Sequence, residues 1–141
     1  MLNRKTITMN KTILKEKFAI DESLLEDFLT KEKKDSQTTV FCNYVSKTKY
    51  VNGGWVNIHP TTFLVSDNDS LSLLHAINVP VAPDKHHFEK AGQHKRFVLI
   101  FPALPKSWKS FDFVESCSSG GGFVVENISR NNTGIYEIHL K

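Results

Sequence analysis

The chain has 141 residues, which is the length of one domain with a tail. Its 40% apolar and 11% aromatic content, with 10 Phe, is enough for a packed core and argues against general disorder. The net charge of +3 is too small to indicate nucleic-acid binding by itself. The 2 cysteines, Cys42 and Cys117, exclude a disulfide framework. We expect two buried or half-buried thiols in a reducing compartment, with a single bridge between strands as the alternative.

No targeting or membrane segment is predicted near the start of the chain. The first twenty residues carry charges from Arg4 to Lys17 and lack the apolar run of a signal peptide. No stretch of about eighteen consecutive apolar residues occurs, so we expect no membrane span. The prediction is a cytoplasmic protein, with Met1 and Met9 as two candidate starts.

Charge and aromatic content divide the chain near Asp35. Residues 1–35 hold 8 of the 18 Lys and Arg and 7 of the 15 Asp and Glu, but few aromatics. We therefore predict a charged N-terminal tail over residues 1–37, disordered up to about residue 19. A helix is expected over about residues 21–34, because Asp21 can cap it and lysines gather at its end.

That helix carries one apolar stripe at helical spacing, formed by Leu24, Leu25, Phe28 and Leu29. Because a helix this short is marginal alone, the stripe needs a partner. Two interpretations stay open. The stripe packs on the edge of the following body, or it is a docking helix for another protein.

Residues 38–141 show regular short strands separated by turn formers such as Asn52-Gly53-Gly54 and Gly120-Gly121-Gly122. This pattern is typical of an all-β antiparallel sandwich or barrel of seven or eight strands. The predicted strands lie near residues 39–45, 55–58, 62–65, 71–77, 95–101, 111–116, 123–128 and 135–140. Residues 84–91 are expected to form one or two helical turns or a crossing loop.

The apolar run Phe97–Phe101 predicts a strand buried on both faces. Alternation places Phe97, Leu99 and Phe101 on one face and Val98 and Ile100 on the other. Pro102 and Pro105 then end the strand and shape the turn, since proline cannot donate to a ladder.

Several segments together carry a family resemblance. They are Tyr50, Asn52-Gly53-Gly54-Trp55-Val56, Thr62-Phe63-Leu64, Ala76-Ile77-Asn78-Val79-Pro80-Val81-Ala82-Pro83, Lys85-His86 and Phe101-Pro102-Ala103-Leu104-Pro105. In this order they resemble an uncharacterised immunoglobulin-like β-sandwich domain of Bacteroidetes-type bacteria, over about residues 38–116. The resemblance implies an immunoglobulin-like sandwich and, often, an exported or envelope protein, but no activity.

No motif indicates catalysis, a cofactor or a metal. The histidines His86, His87 and His94 do not match a common zinc-ligand spacing, so we predict no metal site. The glycine run 120–122 lacks the features of a phosphate loop and predicts a hairpin connection. Cys117 beside it would be a candidate nucleophile only if a histidine approached it in space.

Two regions are candidates for binding. Trp55 is expected in the core, whereas Trp108 lies between two lysines in a proline turn and is the preferred candidate contact residue. The basic, histidine-rich segment 84–96 has a local charge that attracts anions. Its candidate residues are Lys85, His86, His87, Lys95 and Arg96.

The function predicted from these observations is a non-catalytic interaction module whose partner is another protein. The alternative is a domain that binds a small anionic ligand, or a metal-assisted enzyme, using segment 84–96. Nucleic acid is not the expected partner, and the sequence does not indicate an oligomeric state.

Overall fold

A computed structural model describes residues 37–118 and 120–140, and this part of the chain is all-β. No helix occurs among these residues. The ten strands of the described part, in chain order, are β1 (Thr38–Val45), β2 (Trp55–Val56), β3 (Thr62–Ser66), β4 (Asp69–Ser72), β5 (His75–Ile77), β6 (His86–His87), β7 (His94–Phe101), β8 (Ser110–Glu115), β9 (Val124–Ser129) and β10 (Ile135–Leu140).

The strands form two four-stranded sheets and a two-stranded ribbon. The first sheet has the order β10-β1-β7-β5, the second has the order β4-β3-β8-β9, and β2 pairs with β6. All pairs are antiparallel except β1 with β10. The parallel pair departs from the expected purely antiparallel arrangement. It is feasible because nearly the whole body separates these two strands, so no tight hairpin has to join them.

Both sheets contribute to one hydrophobic core. Alternation along β1 turns Val40, Cys42 and Tyr44 inward, and alternation along β8 does the same for Phe111 and Phe113. Ring contacts link the sheets, for example Phe101 with Phe113 at 6.3 Å between centroids. The remaining buried members of this core are Val56, Ile58, Leu64, Phe88, Phe97, Leu99, Phe101, Trp108, Tyr136, Ile138 and Leu140.

The predicted faces of strand β7 are confirmed. Phe97, Leu99 and Phe101 belong to the core, whereas Val98 and Ile100 are buried but lie outside the core cluster. The apolar run therefore marks a strand that is buried on both faces, as its lack of polar alternation indicated.

The predicted single strand over residues 71–77 is wrong, because the chain changes sheets within it. The Leu73 N–H donates to Thr62 O in the second sheet, and the next amide, Leu74 N–H, donates to Ile100 O in the first sheet. The segment is therefore divided into β4 and β5, which raises the number of strands above the predicted seven or eight.

Of the two alternatives expected for residues 84–91, the helical turns are wrong, whereas the loop is closer to the structure, because this connection contains no helix. His86 and His87 form β6 and pair with β2. The Asn57 side chain donates to Asp84 O at 2.8 Å, and the Phe88 N–H donates to Gly54 O at 3.0 Å. These bonds to distant parts of the same chain satisfy backbone groups that helical turns would pair with near neighbours.

The predicted tail and its helix over about residues 21–34 lie outside the described residues, as do Leu24, Leu25, Phe28 and Leu29. Within the described part, no helix has the length and apolar character needed to cross a membrane.

Truncation of Phe101 tests the shared core. Phe101 is fully buried and its ring packs edge-on against Phe113. We expect Phe101→Ala to lower the free energy of unfolding by about 3 to 5 kcal/mol, through lost transfer energy and a cavity. Urea denaturation gives this value. Val124→Ala, at a position that is 56% exposed, is the control. A Phe101→Ala protein as stable as this control would contradict the assignment.

Candidate functional site

A cleft of about 390 Å³ opens beside the ribbon of β2 and β6. The end of β1, the loop that follows it, β2, and the connection between β8 and β9 supply its lining. The lining residues are Tyr44, Lys47, Tyr50, Gly54, Trp55, Val56, Asn57, His59, Glu115, Cys117, Gly121 and Phe123. A cleft of this size accommodates a small ligand or a few side chains of a partner.

Packed aromatic rings form one side of the cleft. Tyr44 is buried, and its ring lies 5.5 Å from Phe123 in an edge-on contact and 5.8 Å from Phe88. Desolvation, and secondarily the proximity of Tyr50, raises the pKa of the Tyr44 hydroxyl. This surface therefore stays neutral and apolar at physiological pH.

Trp55 lies on the wall of the cleft and is 46% exposed. Its exposure follows from strand alternation, because Val56 and Ile58 point into the core and leave Trp55 on the other side. The Lys85 Nζ lies 4.4 Å from the centroid of the Trp55 ring. This cation–π contact places a positive charge directly beside the exposed ring.

Tyr50 is the second exposed aromatic of the cleft, at 49%. Its ring lies over Gly54, where an added Cβ would come within 3.0 Å of the ring. Gly54 also has φ +73, so both the conformation and the close approach favour glycine at this position. The Lys49 Nζ lies 5.1 Å from the Tyr50 ring centroid, so each exposed ring has a lysine beside it.

His59, Glu115 and Cys117 meet at the cleft. Each offers one ligand atom, and these atoms lie within 4.8 Å of one another. Among the described residues this is the one group of three or more such side chains with metal-ligand spacing. The register that pairs Thr62 of β3 with Glu115 of β8 brings His59 and Cys117, both just beyond the paired ends, to the same place.

The Glu115 carboxylate links the connection between β2 and β3 to the connection between β8 and β9. It is only 5% exposed and accepts the His59 N–H at 2.8 Å and the Phe123 N–H at 3.1 Å, one on each oxygen. The Ser116 N–H donates to Thr61 O at 2.9 Å, and the Thr61 hydroxyl donates to Ser116 O at 2.6 Å. Three hydrogen bonds therefore join residues 59–61 to residues 115–116, next to Cys117.

His59 approaches Cys117 in space, with ligand atoms within 4.8 Å of each other, but no hydrogen bond joins the two side chains among the described residues, and the electrostatics also oppose a nucleophilic cysteine. Desolvation first, and the Glu115 charge second, raise the pKa of the Cys117 thiol. A nucleophilic cysteine instead needs a lowered pKa, because the thiolate is the reactive form. The group therefore favours ligand binding over covalent catalysis. The expectation of no metal considered only the histidines of segment 84–96 and missed these three residues.

The preference for Trp108 as a contact residue is wrong. Trp108 is 4% exposed and belongs to the core, where its ring packs 6.5 Å from Phe111. Its N–H donates to Pro105 O, and Arg130 Nη1 donates to Pro105 O and Trp108 O. The proline turn therefore folds Trp108 inward, and its flanking lysines remain outside. Trp55, which was expected in the core, is the exposed tryptophan.

The candidate residues of segment 84–96 do not form one surface. Lys85 lies over Trp55, and His87 pairs with Trp55 across the ribbon. Lys95 and Arg96 are neighbours on β7 and therefore point to opposite faces of the first sheet.

Lys95 and His87 both lie close enough to His86 to affect its charge. His86 packs edge-on against Phe88 at 5.0 Å. Desolvation, then Lys95 and His87, lower the pKa of His86, and desolvation lowers the pKa of Lys95. The lowered pKa of His86 disfavours its protonated form, so this histidine adds less positive charge than an exposed histidine would.

Comparison of the chain with protein-family models, with curated proteins and with solved structures finds no match. The candidate site therefore rests on the geometry of these residues alone.

The reactivity of Cys117 tests the electrostatics of the site. Since Glu115 contributes to the raised pKa of the thiol, we expect Glu115→Gln to move the pH profile of Cys117 alkylation to lower pH. Iodoacetamide rates measured from neutral to alkaline pH, with a chelator present, give the profile. Asp112→Asn, on the same strand, is the matched control. Superimposable profiles for Glu115→Gln and the parent would contradict the assignment.

Proposed function

We propose that residues 38–141 form a non-catalytic, immunoglobulin-like β-sandwich module that holds a short segment of another protein in the cleft. Two four-stranded sheets that share one core support the sandwich. The preceding residues 1–37 are, in this proposal, a charged tail that takes no part in the cleft.

The observation that carries the proposal is the exposure of both Trp55 and Tyr50 on the lining of one cleft. Large aromatic side chains bury the most area per residue on binding, and Trp and Tyr are enriched among interface hot spots. Bonds around Gly54 hold this wall in place, since its carbonyl accepts the Phe88 N–H and the Gly53 N–H donates to Tyr50 O. A wall ordered in advance lowers the entropy cost of binding.

The charges around the cleft define the chemistry of the partner. Lys47 lines the cleft, Lys49 lies beside Tyr50, and Lys85 lies beside Trp55. The acidic member of the lining, Glu115, is buried beneath this rim. We therefore propose an acidic segment with one aromatic or large apolar anchor, whose anchor packs between the exposed rings and whose carboxylates meet the lysines.

The alternative prediction, an anionic-ligand or metal-assisted domain built on segment 84–96, required that segment to act as one surface. Strand alternation separates Lys95 from Arg96, and Lys85 belongs to the aromatic wall. Lys85 is therefore kept as the neighbour of Trp55, and the rest of that segment is not included in the proposed site.

Fluorescence of Trp55 tests this proposal directly. The chain has 2 Trp, so Trp108→Phe leaves Trp55 as the single reporter. We expect a peptide with one tyrosine flanked by glutamates to change the Trp55 emission saturably, and added salt to weaken this binding. A chelator is kept in the buffer throughout.

The controls separate charge from the aromatic wall. The same peptide with lysines in place of glutamates should bind at least about tenfold more weakly, because the lysine rim repels it. Tyr50→Ala should weaken binding of the acidic peptide, whereas Leu74→Ala, equally exposed outside the cleft, should not. Equal binding of both peptides, or no effect of Tyr50→Ala, would contradict the proposal.

A further inference from the structure

We propose that His59, Glu115 and Cys117 form a zinc site whose fourth position opens into the cleft. The donor set is one imidazole nitrogen, one carboxylate oxygen and one sulfur, which are the three ligand types that zinc takes in proteins. The site goes beyond the partner proposed above and does not depend on it, because no step of that binding uses these three side chains.

The burial of Glu115 points independently to a cation. Its carboxylate is 5% exposed, and within the described residues its hydrogen-bond partners are two neutral backbone amides. No lysine or arginine of the described chain forms an ion pair with it. Buried carboxylates are normally neutralised by a cation or coordinate a metal, and each Glu115 oxygen retains a lone pair for this purpose.

The separations of the three ligand atoms fit tetrahedral zinc coordination after small shifts of the side chains. The three ligand atoms lie within 4.8 Å of one another. Zinc bonds of about 2.0 to 2.3 Å at tetrahedral angles require ligand separations of about 3.3 to 3.6 Å, so shifts of roughly 1 Å bring the atoms into place. The Glu115 carboxylate is held by two hydrogen bonds, so the side chains of His59 and Cys117 make most of this shift.

The connection that carries Cys117 is loosely packed at two of its glycines. At Gly120 and Gly121 an added Cβ would meet nothing within 4 Å, so this part of the loop is not packed. Gly122, in contrast, lies so close to Glu115 that an added Cβ would come within 1.8 Å of its carbonyl oxygen. The loop is therefore closely packed at Gly122 and open at Gly120 and Gly121.

The charges of the occupied site balance. Zinc binding replaces the thiol proton of Cys117 with the metal and releases that proton to the buffer. A doubly positive ion then faces one thiolate and one carboxylate, with His59 neutral. The buried charge of Glu115 is compensated, and the affinity rises with pH because a proton is a product of binding.

Cobalt is the probe for this site, because tetrahedral Co²⁺ reports its ligands in its absorption. We expect the full chain, purified without a histidine tag and freed of metal, to bind one equivalent of Co²⁺ with a thiolate charge-transfer band. Zinc should displace the cobalt, and binding should weaken as the pH is lowered.

Variants assign the ligands. Cys117→Ser should remove the charge-transfer band, and His59→Ala and Glu115→Gln should each weaken binding by more than about tenfold. The matched controls are Cys42→Ala, which changes the buried core thiol, and His94→Ala, whose ring bonds to Asn43. Absence of the band in the parent, or its loss in a control but not in Cys117→Ser, would overturn the site.

A second inference rests on the face of the first sheet that points away from the core. Thr39 is 0%, Phe41 5%, Val98 2% and Ile100 2% exposed, although none belongs to the core cluster. The register makes them one patch, since Thr39 lies opposite Ile100 and Phe41 opposite Val98. A sheet face in contact with water would carry polar side chains at these positions.

We infer that residues 21–34 of this chain cover that patch with the stripe of Leu24, Leu25, Phe28 and Leu29. The described chain begins at Gln37, next to β1, which carries half of the patch, so only a short link is needed. As a helix, these 14 positions would span about 21 Å, close to the length of about 26 Å expected for the 8-residue strand β1.

Thermodynamic coupling in the full chain tests this inference. If Phe28 contacts the patch, Phe28→Ala and Ile100→Ala should have non-additive effects on the free energy of unfolding. The matched pair of Phe28→Ala with Leu64→Ala, a buried residue of the second sheet, should be additive. Additivity in both pairs, with Phe28→Ala alone leaving stability unchanged, would overturn the inference and favour a stripe that docks another protein.

Discussion

The alternation of side chains along a strand is the constraint on which the fold and the site both depend. Because Val56 must fill the core, Trp55 is turned outward on β2 and forms the wall of the cleft. The same rule sends Lys95 and Arg96 of β7 to opposite faces and divides the basic segment. On β1 it gives a core face with Val40 and a second buried face with Phe41.

The carboxylate of Glu115 connects that scaffold to the site. Burying an acid at the end of β8 is costly unless its oxygens are bonded, and the amides of His59 and Phe123 meet that need. The same bonds bring two otherwise separate connections together, which makes a cleft and places a histidine near a cysteine. A metal ion would complete the electrostatics of this junction, because hydrogen bonds from amides stabilise the charge without neutralising it.

Structural features that depend on the pattern of neighbouring residues were predicted correctly from the sequence. The strand over residues 95–101, its two faces and the turn formers between strands follow from alternation, proline and glycine, and they are found in the structure. The sequence predicted a buried Trp55 and an exposed Trp108, and the structure shows the reverse. Neighbouring lysines do not determine whether a turn directs the ring between them inward or outward. Trp55 had a usable signal, namely its alternation with Val56 and Ile58.

The cluster of His59, Glu115 and Cys117 had no such signal. It depends on the pairing of Thr62 with Glu115, and strand pairing over more than fifty residues cannot be read from local pattern. The division of residues 71–77 between two sheets was missed for the same reason. A change of hydrogen-bonding partner leaves the pattern of side chains along the chain almost unaltered.

Amide chemical shifts of the full chain provide the most direct test of the claim that the cleft is the binding site. Titration with the acidic, tyrosine-containing peptide should shift the resonances of Tyr50, Gly54, Trp55 and Phe123, which line the cleft, in one saturable process. The exposed strand β9 should remain unchanged at Val124. Shifts confined to β9, or to Arg96 and the face around it, would contradict the account and place the binding surface elsewhere on the molecule.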